Sequence, residues 1–311
     1  MLTRILLTLI AAQLMFAAVN YSYDASGRLT KIDYGAAGSI AYTYDKAGNL
    51  LSRVEAASAA TGSVITSVNV SGSPVSAGIA QNTWVEIHGT NLVPATTAAA
   101  GVIWGSAPSF AQGMMPTQIG GVSATIDGKA AYMYYYCSAV TSTCASDQVN
   151  VLSPLDNATG PVQIVVTSGT TSSAPFTVTL NSNVPSFFLF SGSYVVATHA
   201  NQSLLGPTSL YPGLSTPAAK NEEIVIWGTG FGLPSTAITL GSSAQSGSLP
   251  VLPVCKIGAT NAVVEFAGLV SVGLFQVNMT VPNTAATTGD LPIVCTYNGA
   301  STPATDLVTA Q

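Results

Sequence analysis

The chain has 311 residues, of which 48% are hydrophobic and only 7% are charged, and its formal net charge is −5. Soluble domains usually carry about a quarter of charged residues, so this chain is poor in Glu, Lys and Arg, which form helices well. The composition favours β-structure with many turns, and the thinly spread charge without a basic patch argues against nucleic acid as a partner.

Residues 1–18 have the pattern of a secretory leader. One positive charge, Arg4, precedes an apolar run that is too short for a membrane-spanning helix, which needs about 20 residues. We predict a signal peptide that is cleaved after Ala18, although Phe16 occupies a position that prefers a small side chain. The alternative is a buried N-terminal helix or strand. A signal peptide predicts export to the periplasm, the cell surface or the medium, with no transmembrane span.

Residues 19–55 contain a short repeat. The stretch YSYDASGRL, which begins at Tyr21, recurs as YTYDKAGNL, which begins at Tyr42. Each copy predicts a strand, an Asp-x-x-Gly turn in which the glycine adopts a positive φ, and a second strand. The pattern resembles the tyrosine-aspartate (RHS/YD) repeats, in which many units wind into a β-shell. Since about three repeats are usually needed to bury a hydrophobic face, two units indicate a remnant or a packing flap.

The remainder of the chain contains a longer duplication. The segment WVEIHGTNL at Trp84–Leu92 is echoed by EIVIWGTGFG at Glu223–Gly232. A second phrase follows each one, as DQVNVLSP at Asp147–Pro154 and FQVNMTVP at Phe275–Pro282. Short strands at this spacing, without alternating helices, predict two copies of an antiparallel β-sandwich. The predicted segments are a linker at 56–63, a first sandwich at 64–181 and a second at 184–311.

Several stretches of this duplicated region resemble IPT/TIG immunoglobulin-like domains. The resemblance rests on the Gly-Thr turns after the two repeated strands and on GGVSATIDG at Gly120–Gly128. More narrowly, the pair resembles the Solibacter-type uncharacterised C-terminal domain found on exported bacterial proteins. The resemblance implies an all-β chain of two tandem immunoglobulin-like antiparallel β-sandwiches behind the YD-repeat hairpins. It also implies export, and it supplies no catalytic residues.

Four cysteines fall in pairs, one pair in each copy. Cys137 and Cys144 lie in the first copy, and Cys255 and Cys295 lie in the second. No Cys-x-x-Cys is present and the chain has only two histidines, which argues against a zinc site. Pairing within each copy is one of three possible connectivities. Reduced, buried cysteines are the alternative, and export favours disulfides.

The run from Tyr132 to Tyr136 is the most prominent candidate binding surface. In a regular strand Tyr132, Tyr134 and Tyr136 share one face, while Met133 and Tyr135 share the other. An exposed row of tyrosines would suit stacking on sugar rings or on a partner protein. The alternative is burial against the second copy or against the YD hairpins.

Two motifs that suggest chemistry lack the context that the chemistry requires. The glycine-rich stretch Gly228–Gly232 is followed by Leu233-Pro234, so no helix offers its N-terminus to a phosphate. Glu86 and His88 share a strand face, but no nucleophile elbow accompanies them. We interpret these residues as structural, together with His199 in a predicted loop.

The acidic residues do not form a recognisable site either. Glu222 and Glu223 are adjacent, so on a strand they point to opposite faces instead of facing each other across a cleft. Asp127, Asp147 and Asp156 lack the regular oxygen-ligand spacing of a calcium loop. We therefore predict no catalytic residue, no metal site and no cofactor.

Together these patterns predict a non-enzymatic exported or cell-surface protein that acts as a structural spacer, adhesion or binding module. Its expected partner is an unknown protein or polysaccharide. The alternative is a carbohydrate-binding accessory module of a larger secreted enzyme, or a fragment of one. We expect the specific function to lie where the two copies differ, namely the Ala-rich loop at 94–113, the tyrosine run and the first cysteine loop.

Overall fold

The computed structural model describes residues 19–33, 38–57, 62–73, 76–284 and 286–311. The predicted signal peptide at 1–18 lies outside the described residues, as do positions 58–61 of the predicted linker. The chain divides into two compact units, Met1–Thr61 and Gly62–Gln311. None of the helices in the described part has the length and apolarity needed to span a membrane.

The first unit contains a four-stranded antiparallel sheet whose strands follow one another in chain order. The strands are β1 (Asn20–Tyr23), β2 (Leu29–Asp33), β3 (Gly38–Tyr44) and β4 (Leu50–Ala57). Each predicted Asp-x-x-Gly turn closes one hairpin, with φ of 77° at Gly27 and 93° at Gly48. The turn prediction is therefore confirmed, because both glycines adopt the left-handed region that other residues disfavour.

The aspartates of these two turns bind the backbone that follows them. Asp24 Oδ1 accepts hydrogen bonds from the backbone N–H groups of Ser26 and Arg28, both at 2.9 Å. Asp45 Oδ1 accepts one from the N–H of Asn49 at 2.8 Å. The pKa of Asp24 is held below its usual value chiefly by the bond from the Arg28 N–H, and that of Asp45 chiefly by a bond from Asn49 Nδ2 to Asp45 Oδ2 at 2.8 Å. The repeat thus specifies its turn through a side chain that caps the backbone.

The second unit begins with a sandwich of two sheets. Its strands are β5 (Val64–Val70), β6 (Ile79–Ala80), β7 (Trp84–Thr90), β8 (Val102–Ile103), β9 (Gln118–Ile119), β10 (Val122–Ile126), β11 (Lys129–Ala130), β12 (Tyr132–Cys137), β13 (Asp147–Leu152), β14 (Gly160–Ser168), β15 (Thr171–Ser172) and β16 (Phe176–Asn181). One sheet has the order β5-β7-β13-β12-β8. The other has the order β11-β10-β14-β16-β6, with β9 beside β10 and β15 beside β14. Alternating residues of both sheets, such as Val85, Ile87, Val149 and Ile164, are fully buried between them.

A second sandwich follows. Its strands are β17 (Ser186–Phe187), β18 (Leu189–Ser191), β19 (Tyr194–Val195), β20 (Ala197–His199), β21 (Leu204–Leu205), β22 (Ser215–Thr216), β23 (Glu223–Thr229), β24 (Gly247–Ser248), β25 (Val254–Ile257), β26 (Thr260–Ser271), β27 (Leu274–Thr280), β28 (Gly289–Tyr297), β29 (Ala300–Ser301) and β30 (Leu307–Ala310). They form one continuous sheet, because β26 pairs with β25 at its start and with β27 along the rest of its 12 residues. The rings of Phe187, Phe231 and Phe275 occupy the centre of its core.

The predicted all-β sandwich class is confirmed, and the pairing is mostly antiparallel. Parallel pairing occurs within the described strands at three short places, between β6 and β16, β19 and β30, and β21 and β22. In each pair, at least one partner is a strand of only two residues. These short parallel pairs are the exceptions, among the described strands, to the predicted antiparallel sandwiches.

Both predicted disulfides are present. Cys137 is bonded to Cys144, and Cys255 is bonded to Cys295. Cys255 and Cys295 are directly opposite each other on β25 and β28, and both are fully buried. The second bridge therefore links two neighbouring strands within the core of the second sandwich.

A firm joint connects the two sandwiches. The backbone N–H of Trp84 donates to Thr229 Oγ1 at 3.1 Å, and Asn82 Nδ2 donates to Gln245 Oε1 at 3.0 Å. A small apolar cluster lies at the same place and includes Met115, Tyr132, Leu152 and Val272, all of them buried. Direct hydrogen bonds and burial together hold the two sandwiches in one orientation.

Candidate ligand-binding cleft

A cleft of about 450 Å³ opens beside this joint. The first sandwich contributes Trp84, Glu86, Trp104, Phe110, Tyr134 and Asn150 to its lining. The second sandwich contributes Phe188, Val272 and Leu274, among others. The walls are therefore mainly aromatic and aliphatic, with a few polar groups, which is the usual character of a small-molecule site.

Four aromatic rings of the cleft pack against one another. The Trp104 ring lies 5.6 Å from that of Trp84, 5.0 Å from that of Tyr134 and 5.2 Å from that of Phe110, measured between centroids. All three contacts are edge-to-face, and the four side chains are half-buried. Edge-to-face packing fixes each ring at a steep angle to its neighbour, so the cluster is preformed.

Trp84 is anchored to the second sandwich. Its indole Nε1 donates to the carbonyl of Val272 at 3.0 Å. Gly273, with φ of 60°, packs so closely that a Cβ there would lie 2.8 Å from the Trp84 Nε1 atom and still nearer to Leu152 Cδ1. The turn that carries Gly273 therefore fits against the indole only because this residue has no side chain.

Polar side chains extend one side of the cleft. Glu86 and Asn150 are opposite each other on β7 and β13, and Asn150 Oδ1 accepts a hydrogen bond from Gln148 Nε2 at 2.8 Å. A second hollow of about 560 Å³ shares Glu86 and Phe188 with the cleft and is also lined by Asn69 and His88. The two hollows thus form one groove that is aromatic at one end and polar at the other.

The groove has a simple charge distribution. Among the described residues that line the two hollows, Glu86 is the only carboxylate and none is Lys or Arg. His88 Nε2 lies 3.6 Å from Glu86 Oε2, and His88 Nδ1 is 3.1 Å from Ser146 Oγ. An anionic ligand would meet a carboxylate without a compensating cation.

Only one of the three predicted tyrosines lines the cleft. Tyr134 does, whereas Tyr132 is 8% exposed in the joint and Tyr136 is 3% exposed in the core of the first sandwich. Burial raises the pKa of both Tyr132 and Tyr136. Tyr132 is therefore buried against the second copy, which is the alternative that the sequence leaves open.

The expectation that these tyrosines share a face is wrong because β12 contains a bulge. Met133 pairs with Val151 and Tyr135 pairs with Asn150, so Tyr134 is an extra residue without a partner on β13. A bulge interrupts the alternation of side chains. Met133 and Tyr136 consequently both enter the core, and Tyr134 is directed into the cleft.

Trp104 and Phe110 were not predicted as site residues. They lie in the Ala-rich loop, which forms two 3-10 turns at Trp104–Ser106 and Pro108–Gln112 after β8 pairs with β12. The sequence does contain a sign of their role, because two large aromatic residues are unusual in a loop of small residues. This loop is one of the places where the two copies differ.

The remaining sequence candidates have structural partners. His199 is bonded to the Glu222 carboxylate and to Thr216, and Glu222 Oε2 also accepts from the N–H of Ala219. Asp147 accepts from the N–H groups of Leu92 and Ala139.

Asp156 pairs with Lys129 Nζ at 2.6 Å. Across the described ranges, no group of three or more His, Cys, Asp or Glu residues is arranged to hold a metal ion.

The comparison with protein-family models bears on the first unit. Residues 20–60 match the RHS Repeat family model. The match confirms the RHS/YD resemblance of the N-terminal hairpins, over a small part of the chain. None of the curated proteins matches this chain.

Two solved structures have distant similarity. SGBP-B of the Bacteroides ovatus mixed-linkage glucan utilization locus, solved with a mixed-linkage heptasaccharide, is 11% identical with a TM-score of 0.33. That match covers 90% of this chain and 52% of the other, so the chain spans about half the length of that protein. Domains 4–9 of the surface layer protein SbsC are 10% identical with a TM-score of 0.20, over 93% of this chain and 44% of the other. At these TM-scores neither likeness carries an argument about function.

Proposed function

We propose that this protein is a non-enzymatic, exported carbohydrate-binding module whose ligand lies in the groove between the sandwiches. The observation that carries the proposal is the preformed cluster of Trp84, Trp104 and Tyr134 beside Glu86 and Asn150. A sugar ring has an apolar C–H face that packs on aromatic rings and hydroxyl groups that need polar partners. The groove offers both surfaces next to each other.

The charge of the groove selects neutral sugars. Glu86 accepts hydrogen bonds from hydroxyl groups but repels the carboxylates and sulfates of acidic polysaccharides, and no Lys or Arg in the lining balances it. The continuation of the groove from Tyr134 towards His88 and Asn69 favours a chain of several sugar units over a single ring.

The rigidity of the site supports binding as its function. The rings fix one another, and Trp84 is bonded across the joint, so little side-chain freedom is lost when a ligand binds. Glycoside hydrolysis requires two carboxylates across a cleft, and the lining of this groove has one. Both features support a module that holds a chain without cleaving it.

The two disulfides support export, because disulfides persist in oxidising compartments outside the cytosol. Export by the predicted signal peptide at 1–18 is part of this proposal. The RHS match and the proposed IPT/TIG-like identity of both sandwiches are consistent with a cell-surface location. A spacer role is the second candidate, favoured by the firm joint between the sandwiches.

The test is a glycan array of neutral and acidic oligosaccharides, followed by calorimetric titration of the best binder. We expect binding to neutral chains, with affinity that rises from two to six sugar units. Trp104→Ala and Tyr134→Ala each remove a packing ring, and we expect each to weaken binding about tenfold.

Tyr211→Ala is the matched control, because Tyr211 is half-buried but does not line the groove. Binding to no neutral glycan would overturn the proposal and leave the spacer role. If Tyr211→Ala lowers the glycan affinity as much as Trp104→Ala does, the loss of binding is not specific to the groove.

A further inference from the structure

The duplication repeats part of the groove surface on the second sandwich. Trp227 pairs with Gln276 on β23 and β27, as His88 pairs with Gln148 on β7 and β13. Asn278 then takes the position that Asn150 has in the first sandwich. Equivalent, outward-facing positions of the two sheets therefore carry the same Gln-x-Asn pair.

The amide pair adopts the same conformation in both copies. Gln148 Nε2 donates to Asn150 Oδ1 at 2.8 Å, and Gln276 Nε2 donates to Asn278 Oδ1 at 2.7 Å. These residues are half-buried on the face away from the core, so core packing does not require them. In the first copy the same pair borders the proposed sugar groove through Asn150.

On the second sandwich the pair lies beside a tryptophan. Trp227 is half-buried and lines a hollow of about 590 Å³ together with Gln276, Asn278 and Glu223. Its backbone is fixed on both sides, because its N–H donates to Val196 and its carbonyl accepts from Phe188, both at 3.0 Å. Among the described residues its ring takes part in none of the ring-to-ring contacts.

The polar groups around this ring are ordered. Asn278 Nδ2 donates to Glu223 Oε1 at 2.9 Å, which continues the hydrogen-bonded chain from Gln276. An amide has two donors and an acceptor, so this chain leaves bonding capacity on both amides. Within the part of the chain that the structure describes, Glu223 is the only carboxylate that lines this hollow, and no Lys or Arg lines it.

We infer that the surface around Trp227 is a second binding site for neutral saccharides, separate from the groove between the sandwiches. A ring face, two ordered amides and one carboxylate repeat the chemistry of the groove at the equivalent place of the second copy. The inference takes its ligand class from the proposed function and rests on it in that respect. It adds that one protein binds a polysaccharide chain at two places.

Two sites on one rigid unit make binding to a long chain stronger than binding to a short one. The second contact becomes intramolecular once the first has formed, which raises the affinity for a polymer that reaches both sites. A short oligosaccharide cannot reach both sites at once, so its titration measures the affinity of each site separately. The two kinds of ligand therefore distinguish one site from two.

The experiment uses the full chain without its predicted leader, titrated with cellohexaose, xylohexaose, mannohexaose and maltohexaose, and with the parent polymer of the hexasaccharide that binds. We expect two hexasaccharides per wild-type protein. Trp227→Ala is expected to remove one of them and to weaken polymer binding at least tenfold. Gln276→Ala, which leaves the ring in place, is expected to weaken the same site.

Trp104→Ala and Tyr211→Ala complete the set, and thermal melting checks that each variant is folded. A stoichiometry of one that is lost in Trp104→Ala and unchanged in Trp227→Ala would overturn the second site and leave the groove. A stoichiometry of one that is lost only in Trp227→Ala would overturn the groove and support the second site. Wild-type protein that binds none of the four probes would overturn both.

Discussion

The indole of Trp84 donates its N–H to the carbonyl of Val272, so one side chain of the first sandwich closes the joint and forms a wall of the groove. The same bond fixes the turn that contains Gly273 against the indole. Stability of the joint and shape of the groove are therefore coupled, and both depend on the close approach at Gly273.

Gly273→Ala tests this coupling. The new methyl group would overlap Leu152 and crowd Trp84, at a residue whose φ is 60°. We expect a loss of about 2–4 kcal/mol in the free energy of unfolding, measured by chemical denaturation, together with weaker glycan binding.

Gly169→Ala is the control for that change, because Gly169 also has φ of 60° but a Cβ there meets nothing within 4 Å. We expect backbone strain alone to lower the free energy of unfolding of Gly169→Ala by about 1 kcal/mol. Similar losses in both variants would mean that the contact with Trp84 and Leu152 is unimportant.

The two disulfides should contribute unequally to stability. Cys255–Cys295 closes a sequence separation of 40 residues, whereas Cys137–Cys144 closes one of 7. The chain-entropy model gives about 4 kcal/mol for the longer loop and about 2.5 kcal/mol for the shorter. Double Cys-to-Ala variants of each pair, compared by guanidinium denaturation, should follow this order.

Mass spectrometry without reductant checks that the bridges form in the exported protein. Four free thiols in protein recovered from the periplasm would contradict the assignment.

Asp306 should make stability fall as pH rises. Its side chain is 1% exposed, and burial raises its pKa from 3.8 to about 7. The folded state thus favours the neutral acid, so the stability from this group is complete below pH 3.8 and is lost as pH rises to about 7. One pKa unit corresponds to about 1.4 kcal/mol, so the loss is at most about 4 kcal/mol.

Asp306→Asn removes this dependence, since the amide does not titrate. The difference in melting temperature between variant and wild type should therefore change in favour of the variant between pH 4 and pH 8. A difference that stays constant over this range would show that burial does not raise the pKa of Asp306.

Arg28 should hold the two YD hairpins together. Its guanidinium lies over the Tyr44 ring, 4.9 Å from the centroid, and its Nη1 donates to the carbonyl of Asp45 at 3.0 Å. Arg28→Ala removes both of these contacts, and we expect faster amide hydrogen exchange in β2 and β3. Lys31→Ala is the control, because Lys31 pairs within its own strand with Asp33.

Local and repeated features of this fold were predictable from sequence. The YD turns carry their own signals in Asp24 and Gly27, and the Asp-Gly turn at 127–128 joins β10 to β11 as expected. The duplicated strands aligned Gly89 with Gly228, which placed β7 and β23 in equivalent positions. The within-copy pairing of the cysteines, one of the three connectivities that the sequence leaves open, is the one that forms.

The site was only partly predictable, for two physical reasons. The bulge at Tyr134 depends on how β12 registers with β13, and alternation along a single strand does not contain that information. Trp104 reaches the cleft through a loop whose position is set by contacts with distant residues. The sequence indicates Tyr134 only as one member of the tyrosine run, and the structure places Tyr134 alone of the three predicted tyrosines in the lining of the cleft.

Strand β26 joins the two layers of the second sandwich. It pairs with β25 in one layer and with β27 in the other, so backbone hydrogen bonds run continuously from one layer to the other. The Cys255–Cys295 bridge also cross-links two strands of one layer. The first sandwich has two separate sheets, and no ladder of strand pairing joins them in the described part of the chain. Its layers can part along an apolar seam without breaking a ladder of hydrogen bonds. Under mechanical load, such as tension on a surface-bound polymer, the first sandwich should yield before the second.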